Sequence, residues 1–395
     1  MVTGSIIESL SERKLRMGMV GGGPGAFIGE VHRKAARMDG KVDLVSGAFD
    51  ILPENSQKMG KELFLDPKRA YNNYEQMIEK ELALPEGERI DFVAITTPNN
   101  WHFPIAKAFL QAGFHIVCEK PMTMNAAEAK ALVKEVEKSG QVFALMHNYT
   151  GYPMVKQAQY MVKEGKLGKI NKIVVEYPQD WLLKRIELEG QKQAEWRTDP
   201  KQAGAGGCLG DIATHAENLV RYITGLEIDE ICADLSTFVP GRPLDDDVNI
   251  LLHYNNGARG VLHSSQIATG QENNLNIRVW GNDGALQWFQ ENPNYLYFYR
   301  QGEPVQILRR GNAYLCEAAQ RANRIPPGHP EAFLEAFANI YNNALDTMIA
   351  IMKGIKPSQV VSDFPTVYDG LEGMIFIETV VESSKSAKKW TKMKR

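Results

Sequence analysis

Cysteine is scarce in this chain. The four residues present among 395, Cys118, Cys208, Cys232 and Cys316, lie far apart and make no C-x-x-C pair. That excludes a zinc ribbon and a disulfide framework, and it suits a reducing compartment. Long apolar runs are missing too, none approaching the roughly 18 residues that a membrane span needs. The stretch MVTGSIIESLSERKLRMGMV lacks a basic segment followed by an apolar one, so no secretory leader is expected and the chain reads as cytoplasmic. Positive charge is not in excess: the net charge is -3, which argues against a nucleic-acid partner. The one basic cluster, SKSAKKWTKMKR at residues 384–395, reads as a solvated or frayed end. Repeats and low-complexity segments are absent as well.

What is there is an ordinary globular composition, 44% hydrophobic and 24% charged, at a length that suits two domains. After an N-terminal extension, residues 1–15, the region 16–149 alternates short apolar runs with helical patterns. The runs RMGMV, VDLVSGAF, IDFVAIT, HIVCE and VFALMH are largely Val, Ile, Phe and Leu, as strands buried on both faces are. The first is weak by propensity, so its neighbours carry it. Between them, Ile28, Val31, Ala35 and Met38 share one helical face, Pro104 stands near a helix start that Gly113 ends, and Asn125 with Glu128 resembles a capping box. This alternation predicts right-handed crossovers and a parallel sheet of the Rossmann type. The region 150–395 has a different period. Several runs alternate at period two, and the turns YNNGA and GNDGA read as hairpins. The expectation is α/β throughout: a parallel sheet with crossover helices, then a predominantly antiparallel sheet with one face buried, and helices from about Glu331.

The stretch VGGGPGAFIGEVH, residues 20–32, follows a predicted strand and opens a helix, the context a dinucleotide fingerprint requires. Two registers compete. Gly21, Gly23 and Ala26 fit directly; Gly21, Gly23 and Gly29 fit if three extra residues enlarge the loop, with Pro24, Ala26, Phe27 and Ile28 as a lip over the cofactor. Glycine is needed where backbone approaches a pyrophosphate, and the helix N-terminus supplies N–H donors. Asp50, ending the second run, would accept from an adenosine ribose; it follows Gly29 by 21 residues and Ala26 by 24, which favours Gly29 as the third glycine. An acid there repels a 2′-phosphate, so NAD is expected in preference to NADP. The alternative is a surface aspartate ending a strand.

In open α/β sheets ligands bind at the carboxyl ends of strands. The loops TTPNNWH, with Thr97, Pro98, Asn99, Asn100 and His102, and CEKP, with Glu119 and Lys120, would therefore face the cofactor. Pro121 restricts Lys120 to extended backbone, and the bond between them could be cis. A lysine snorkelling to solvent is the competing reading. Farther on, Asp211 and His215 are spaced i, i+4, one face of a helix if it begins after Gly210. A carboxylate beside an imidazole suits acid–base work, the carboxylate fixing tautomer and orientation. A surface ion pair is the competing reading. No third ligand stands at metal-motif spacing, so no metal is expected.

These pieces together resemble the glucose–fructose oxidoreductase and inositol dehydrogenase family, Gfo/Idh/MocA. The matching stretches are Gly29 to His32 (G-x-x-H), TTPNNWHFPIAKAFLQAGFHIVCEKPMTMNAAEA, WRTDPKQAGAGGCLGDIATHAENL, NGARG and GNDGALQWFQENP, nearly the whole chain. The resemblance implies an NAD-binding Rossmann domain (16–149) and a C-terminal substrate-binding and oligomerisation domain (150–395) with an open, mostly antiparallel sheet, and it implies oxidation of a secondary alcohol or reduction of a ketone. His215 would take the hydroxyl proton, Lys120 would hydrogen-bond the same oxygen, and Asp211 would position His215. It places His147, Asn148 and Tyr149, at the end of the last parallel run, around nicotinamide and substrate. Trp181 and Trp196 could stack on sugar rings or simply pack the core; Arg197 could reach the cofactor; His329 reads as a substrate, loop or oligomer residue. The enlarged glycine loop departs from the family pattern and leaves open a cofactor that stays bound between turnovers. The substrate expected is a sugar, a glycoside (oxidised at ring carbon 3 in one version) or a cyclitol such as inositol, with a homo-oligomer formed through the sheet. Two alternatives stand beside this: glycoside cleavage through transient oxidation, and a non-catalytic sugar-sensing regulator.

Overall fold

The computed structural model describes residues 13–395, so most of the expected N-terminal extension lies outside the described residues. The chain divides into two compact units. The first holds a sheet of parallel strands, β1 (Leu15–Gly21), β2 (Val42–Ala48), β3 (Phe92–Thr96), β4 (His115–Cys118) and β5 (Phe143–Leu145), in the order β2-β1-β3-β4-β5. Its crossovers are α1 (Phe27–Arg37), α2 (Pro53–Glu62), α3 (Tyr74–Leu82), α4 (His102–Gln111) and α5 (Ala126–Ser139). Every residue of β3 and β4 is buried, the signature of a sheet covered on both faces. The weak first strand is held by its neighbours: Met17 and Met19 are fully buried, and β1 pairs with β2 on one side and β3 on the other. Chain direction across the sheet reverses at β1, and the β1–β3 register sets Gly21 opposite Thr96. The glycine loop and the TTPNN loop therefore leave the sheet side by side, at the switch point where open α/β sheets bind ligands.

The second unit takes up the chain again at His147, has α6 (Pro153–Lys163) as its first long helix, and carries a sheet ordered β13-β12-β11-β10-β6-β9-β8-β7-β14. Its strands are β6 (Ile170–Pro178), β7 (Ile228–Ser236), β8 (Asp247–Tyr254), β9 (Arg259–Ser265), β10 (Asn276–Gly281), β11 (Ala285–Phe289), β12 (Tyr295–Tyr299), β13 (Gln306–Arg309) and β14 (Thr391–Lys392). All pairings are antiparallel except β6 with β9, and the hairpin turns fall at YNNGA and GNDGA. The helices are α7 (Lys192–Arg197), α8 (Pro200–Ala203), α9 (Thr214–Thr224) and α10 (Glu317–Arg321), with α6 and α9 against one sheet face. The other face is open, and the strands alternate accordingly.

The helices after Glu331 are α11 (Phe333–Met352) and α12 (Val367–Lys385). Residues 337–371 return to the first unit, which a linear division near residue 150 does not anticipate. Periodicity marks the apolar stripe of α11 but not which sheet it will cover. Two polar ties fix the return: Lys41 Nζ lies 3.1 Å from Asp346, and the Leu145 amide donates to Pro365 O at 2.8 Å. The basic tail also departs from expectation. Strand β14 pairs with edge strand β7, the Met393 amide donates to Asp229 O, and Trp390 stacks on His253 with ring centroids 3.7 Å apart. An edge strand has unpaired backbone groups to satisfy, and composition alone does not reveal it.

Candidate active site

In the first unit the glycine loop settles its own register. A Cβ on Gly29 would lie 2.3 Å from Gly22 Cα, so α1 can approach the loop only with glycine there. Gly21 has φ +86°, and a Cβ would meet the Thr96–Thr97 peptide at 2.8 Å; one on Gly23 would meet Phe49 O at 2.6 Å. Gly29, and not Ala26, is thus the close-packing third glycine. Pro24, Gly25 and Ala26 form the turn, closed by Ala26 N donating to Gly23 O at 3.1 Å; Phe27, exposed, starts α1 with half-buried Ile28 behind it. Arg33 braces the loop from below, its Nη1 donating to Gly22 O at 2.8 Å. Asp50 stands beside Gly23, with Oδ1 accepting from the Leu52 amide at 3.0 Å.

Past the end of β3, Pro98 caps a single 3-10 turn, Asn99–Trp101. Thr97 Oγ1 and Asn100 Oδ1 are buried there with no hydrogen-bond partner in the protein. Buried polar atoms are normally satisfied, so two orphans beside a glycine cradle fit a polar ligand at this position. A dinucleotide suits the cradle and these donors and acceptors.

Two residues expected at the cofactor turn inward instead. His102 is fully buried: its Nδ1 is 2.8 Å from Pro121 O and its Nε2 2.9 Å from Thr97 O. It straps the loop after β3 to the loop after β4. Satisfying both carbonyls takes the protonated ring, which burial opposes by pulling the imidazole pKa down. Glu119 is likewise interior. His32 Nε2 donates to its Oε1 at 2.8 Å, and the Lys120 amide donates to Oε2 at 3.1 Å. His32 Nδ1 then accepts from Tyr341 at 2.7 Å. This chain ties the glycine-loop helix α1 to the backbone of Lys120, and removing one partner, which leaves a buried group unsatisfied, costs about 1–3 kcal/mol or more. The His32 role was open to no sequence signal beyond the G-x-x-H spacing. Lys120 itself is half-buried, and its bond to Pro121 is cis.

In the second unit, His215 lies in the first turn of α9 and is buried, with Asp211 in a π-helical turn, Leu209–Ala213, just before it. Such wide turns are frequent at functional sites. His147 Nδ1 is 3.4 Å from His215 Nδ1, and the Tyr149 ring meets the His215 ring edge-on at 4.8 Å. Tyr149 and Tyr177 share a short hydroxyl–hydroxyl bond, and Tyr177 donates on to Asn273 Oδ1 at 2.7 Å. Burial pushes the Tyr177 phenol well above its ordinary pKa. Asn148 Nδ2 is buried without a partner. Asp211 Oδ2 accepts from Gln266 Nε2 at 2.8 Å and stands 3.3 Å from Arg197 Nε, an ion pair without hydrogen-bond alignment.

The tryptophans serve Arg197: its guanidinium lies over Trp196 at 4.2 Å and near Trp181 at 5.8 Å. His329 is apart from this cluster, on an exposed loop whose carbonyls at Ile325, Pro326 and His329 accept from buried Arg310. Tyr177, Asn273 and Gln266 escaped sequence reading. Tyr177 is one apolar position among many in an alternating strand, and Gln266 follows β9 with no motif around it.

Residues 15–147 match the family description "Oxidoreductase family, NAD-binding Rossmann fold", and residues 155–287 match the "GFO/IDH/MocA C-terminal domain". The chain is 34% identical to the uncharacterized oxidoreductase YfiI of Bacillus subtilis over 98% of this chain and 99% of the relative. It is 29% identical to the levoglucosan dehydrogenase of Pseudarthrobacter phenanthrenivorans over 69% of this chain and 73% of that one. Among solved structures, an inositol dehydrogenase homolog from Azotobacter vinelandii, complexed with NADH and myo-inositol, superposes with TM-score 0.90 at 34% identity, covering 97% of this chain and 98% of the other. The chain is a member of the Gfo/Idh/MocA family of NAD-binding oxidoreductases.

Proposed function

We propose that this protein is an NAD-dependent dehydrogenase of a ring secondary alcohol, with a cyclitol, a sugar or a glycoside as substrate. The observation that carries the reading is His215, a buried imidazole bordered by His147, Tyr149 and Tyr177, one helical turn from a carboxylate held by Gln266 and Arg197. A buried polar cluster with hydroxyl and imidazole groups suits a polyhydroxylated ring better than an apolar ligand. The relatives named for inositol and levoglucosan point to the same substrate class.

His215 takes the proton of the reacting hydroxyl, within the range of 10²–10⁴-fold typical of general-base catalysis. Lys120 donates to the same oxygen and stabilises its developing negative charge. Asp211 orients the imidazole or accepts from a neighbouring hydroxyl. Gly21, Gly23 and Gly29 admit the pyrophosphate, with Thr97 and Asn100 supplying polar partners. The nicotinamide, when bound, supplies the hydride acceptor. Asp50 beside Gly23 favours NAD over NADP, because its charge repels a 2′-phosphate. The longer lip at Pro24–Ala26 suits a cofactor released slowly or retained.

A second copy of the chain is the proposed partner of the open sheet face. Residues Leu251, Val261, Val174, Arg278, Gln287, Tyr297 and Ile307 line up in register across that face.

The test is NADH formation, followed by absorbance, with a panel of cyclitols, free sugars and glycosides and with NAD or NADP. Turnover of at least one polyol, faster with NAD, is expected. No turnover across the panel, or release of aglycone without net NADH, would overturn the reading.

A further inference from the structure

We infer that Asp245, in the loop before β8, is a positioning residue that fixes the helix start carrying Asp211 and His215, and that its ionisation gates activity. The inference rests on the dehydrogenase reading for its kinetic part and on geometry for the rest. Three consecutive residues are clamped to this one aspartate. The Gly207 amide donates to Oδ1 at 2.7 Å, the Leu209 amide to Oδ2 at 2.7 Å, and the Cys208 amide to the Asp245 carbonyl at 2.9 Å. The approach is so close that a Cβ on Gly207 would lie 2.3 Å from Asp245 O. Cys208, Leu209 and Gly210 are buried, and the π turn that holds Asp211 begins at the last clamped residue, Leu209.

The next residue grips the other support of Asp211. The Asp246 carbonyl accepts from the Gln266 amide at 2.9 Å, and Gln266 Nε2 holds Asp211 Oδ2 at 2.8 Å. Two neighbouring residues thus define both the backbone and the side-chain setting of Asp211. Asp246 is itself consumed by the Phe238 and Val239 amides, at 2.8 and 2.9 Å.

A carboxylate that accepts from two amides can do so fully only when ionised; a neutral acid turns one oxygen into a donor. Burial pushes the Asp245 carboxyl up to about 6, against the pull of its amide bonds, and Asp246 adds to the rise. Other charged groups around this segment are Asp211 and Asp247, both near the Cys208 thiol that burial pushes well above its ordinary range, with Arg242 3.9 Å from Asp246 and Arg197 3.3 Å from Asp211. Protonation below about pH 6 therefore releases one amide of the Gly207–Leu209 clamp. Misplacement of a catalytic pair by a fraction of an ångström to 1 Å lowers turnover by about ten- to a hundredfold.

The experiment compares wild type with Asp245→Asn in two readouts. In kcat against pH, wild type should lose activity on the acid side through two protonations and D245N through one, from a plateau lowered by about tenfold or more, with KM for NAD unchanged. In hydrogen exchange, which needs no substrate, amides 207–215 should exchange about tenfold faster in D245N at neutral pH while amides 126–139 are unaffected. A wild-type plateau with an unchanged acid limb, or equal exchange at 207–215, overturns the inference. Absence of any polyol turnover sinks the dehydrogenase reading, and the exchange comparison still decides the clamp. If D245N does not fold, wild-type exchange at 207–209, corrected for intrinsic chemistry, decides: a rise below pH 6 supports the clamp, and a flat profile overturns it.

Discussion

Gly29 and Gly25 belong to one loop but answer to different constraints. Gly29 is held by steric contact, its missing Cβ lying 2.3 Å from Gly22 Cα, whereas Gly25 has φ +76° and open space around it. Gly29→Ala should therefore push α1 off the loop, weaken NAD binding by about tenfold or more and cost about 1–3 kcal/mol, as overpacking does. Gly25→Ala meets only a backbone penalty of about 1 kcal/mol, and its NAD affinity should stay close to wild type. Fluorescence titration with NADH and thermal melts of the two variants check this. The glycine register was legible because steric need maps directly onto residue type. The inward turn of His102 and Glu119 was not, since a polar residue near a strand end gives the same letters whether it faces a ligand or a neighbour.

Strand β4 shows how an element can carry a pH response through a buried imidazole. His115 begins it, and its Nδ1 accepts from the Val142 amide at 3.0 Å, a contact available only to the neutral ring. Burial lowers its pKa from 6.5 to about 4. Between those values the unfolded chain binds a proton that the folded protein refuses, so stability falls as pH drops from about 6.5 to 4, by on the order of 3 kcal/mol. Replacement by glutamine, which cannot be charged, should flatten that limb in chemical denaturation at a series of pH values. An equally steep limb in His115→Gln would contradict it. The strands themselves were legible, because buried parallel strands have continuous apolar runs and the second sheet has period two. The π turn before α9 was not, because the groups that touch it, Asp245 on the Gly207 and Leu209 amides and Gln266 on Asp211, are distant in sequence. Strand β14 was hidden for a related reason: its partner is an edge elsewhere in the chain.

At the scale of the whole molecule the open face of the second sheet is the proposed contact between copies of the chain. Exposed Leu251, Trp280, Tyr295, Tyr299 and Ile307 all project from that face, at 37–47% relative exposure. Apolar side chains gathered along one sheet face suit a protein–protein contact. The protein should migrate as an oligomer in light scattering, and a charge at the middle of the row, Val174→Lys, should shift it toward monomer without changing the NADH affinity of the first unit. A monomeric wild type would contradict the proposed assembly. The two-part organisation was legible from the change of period near residue 150, but the return of residues 337–371 was not, because helix periodicity names a buried stripe and not its partner. The claim on which the dehydrogenase reading depends is the proton and charge chemistry of His215 and Lys120. Its most direct measurement is the steady-state kcat of His215→Ala and Lys120→Ala with NAD and the best polyol of the panel. Both should fall by about 10²–10⁴-fold while NADH still binds His215→Ala; near-wild-type turnover in both variants would contradict the account.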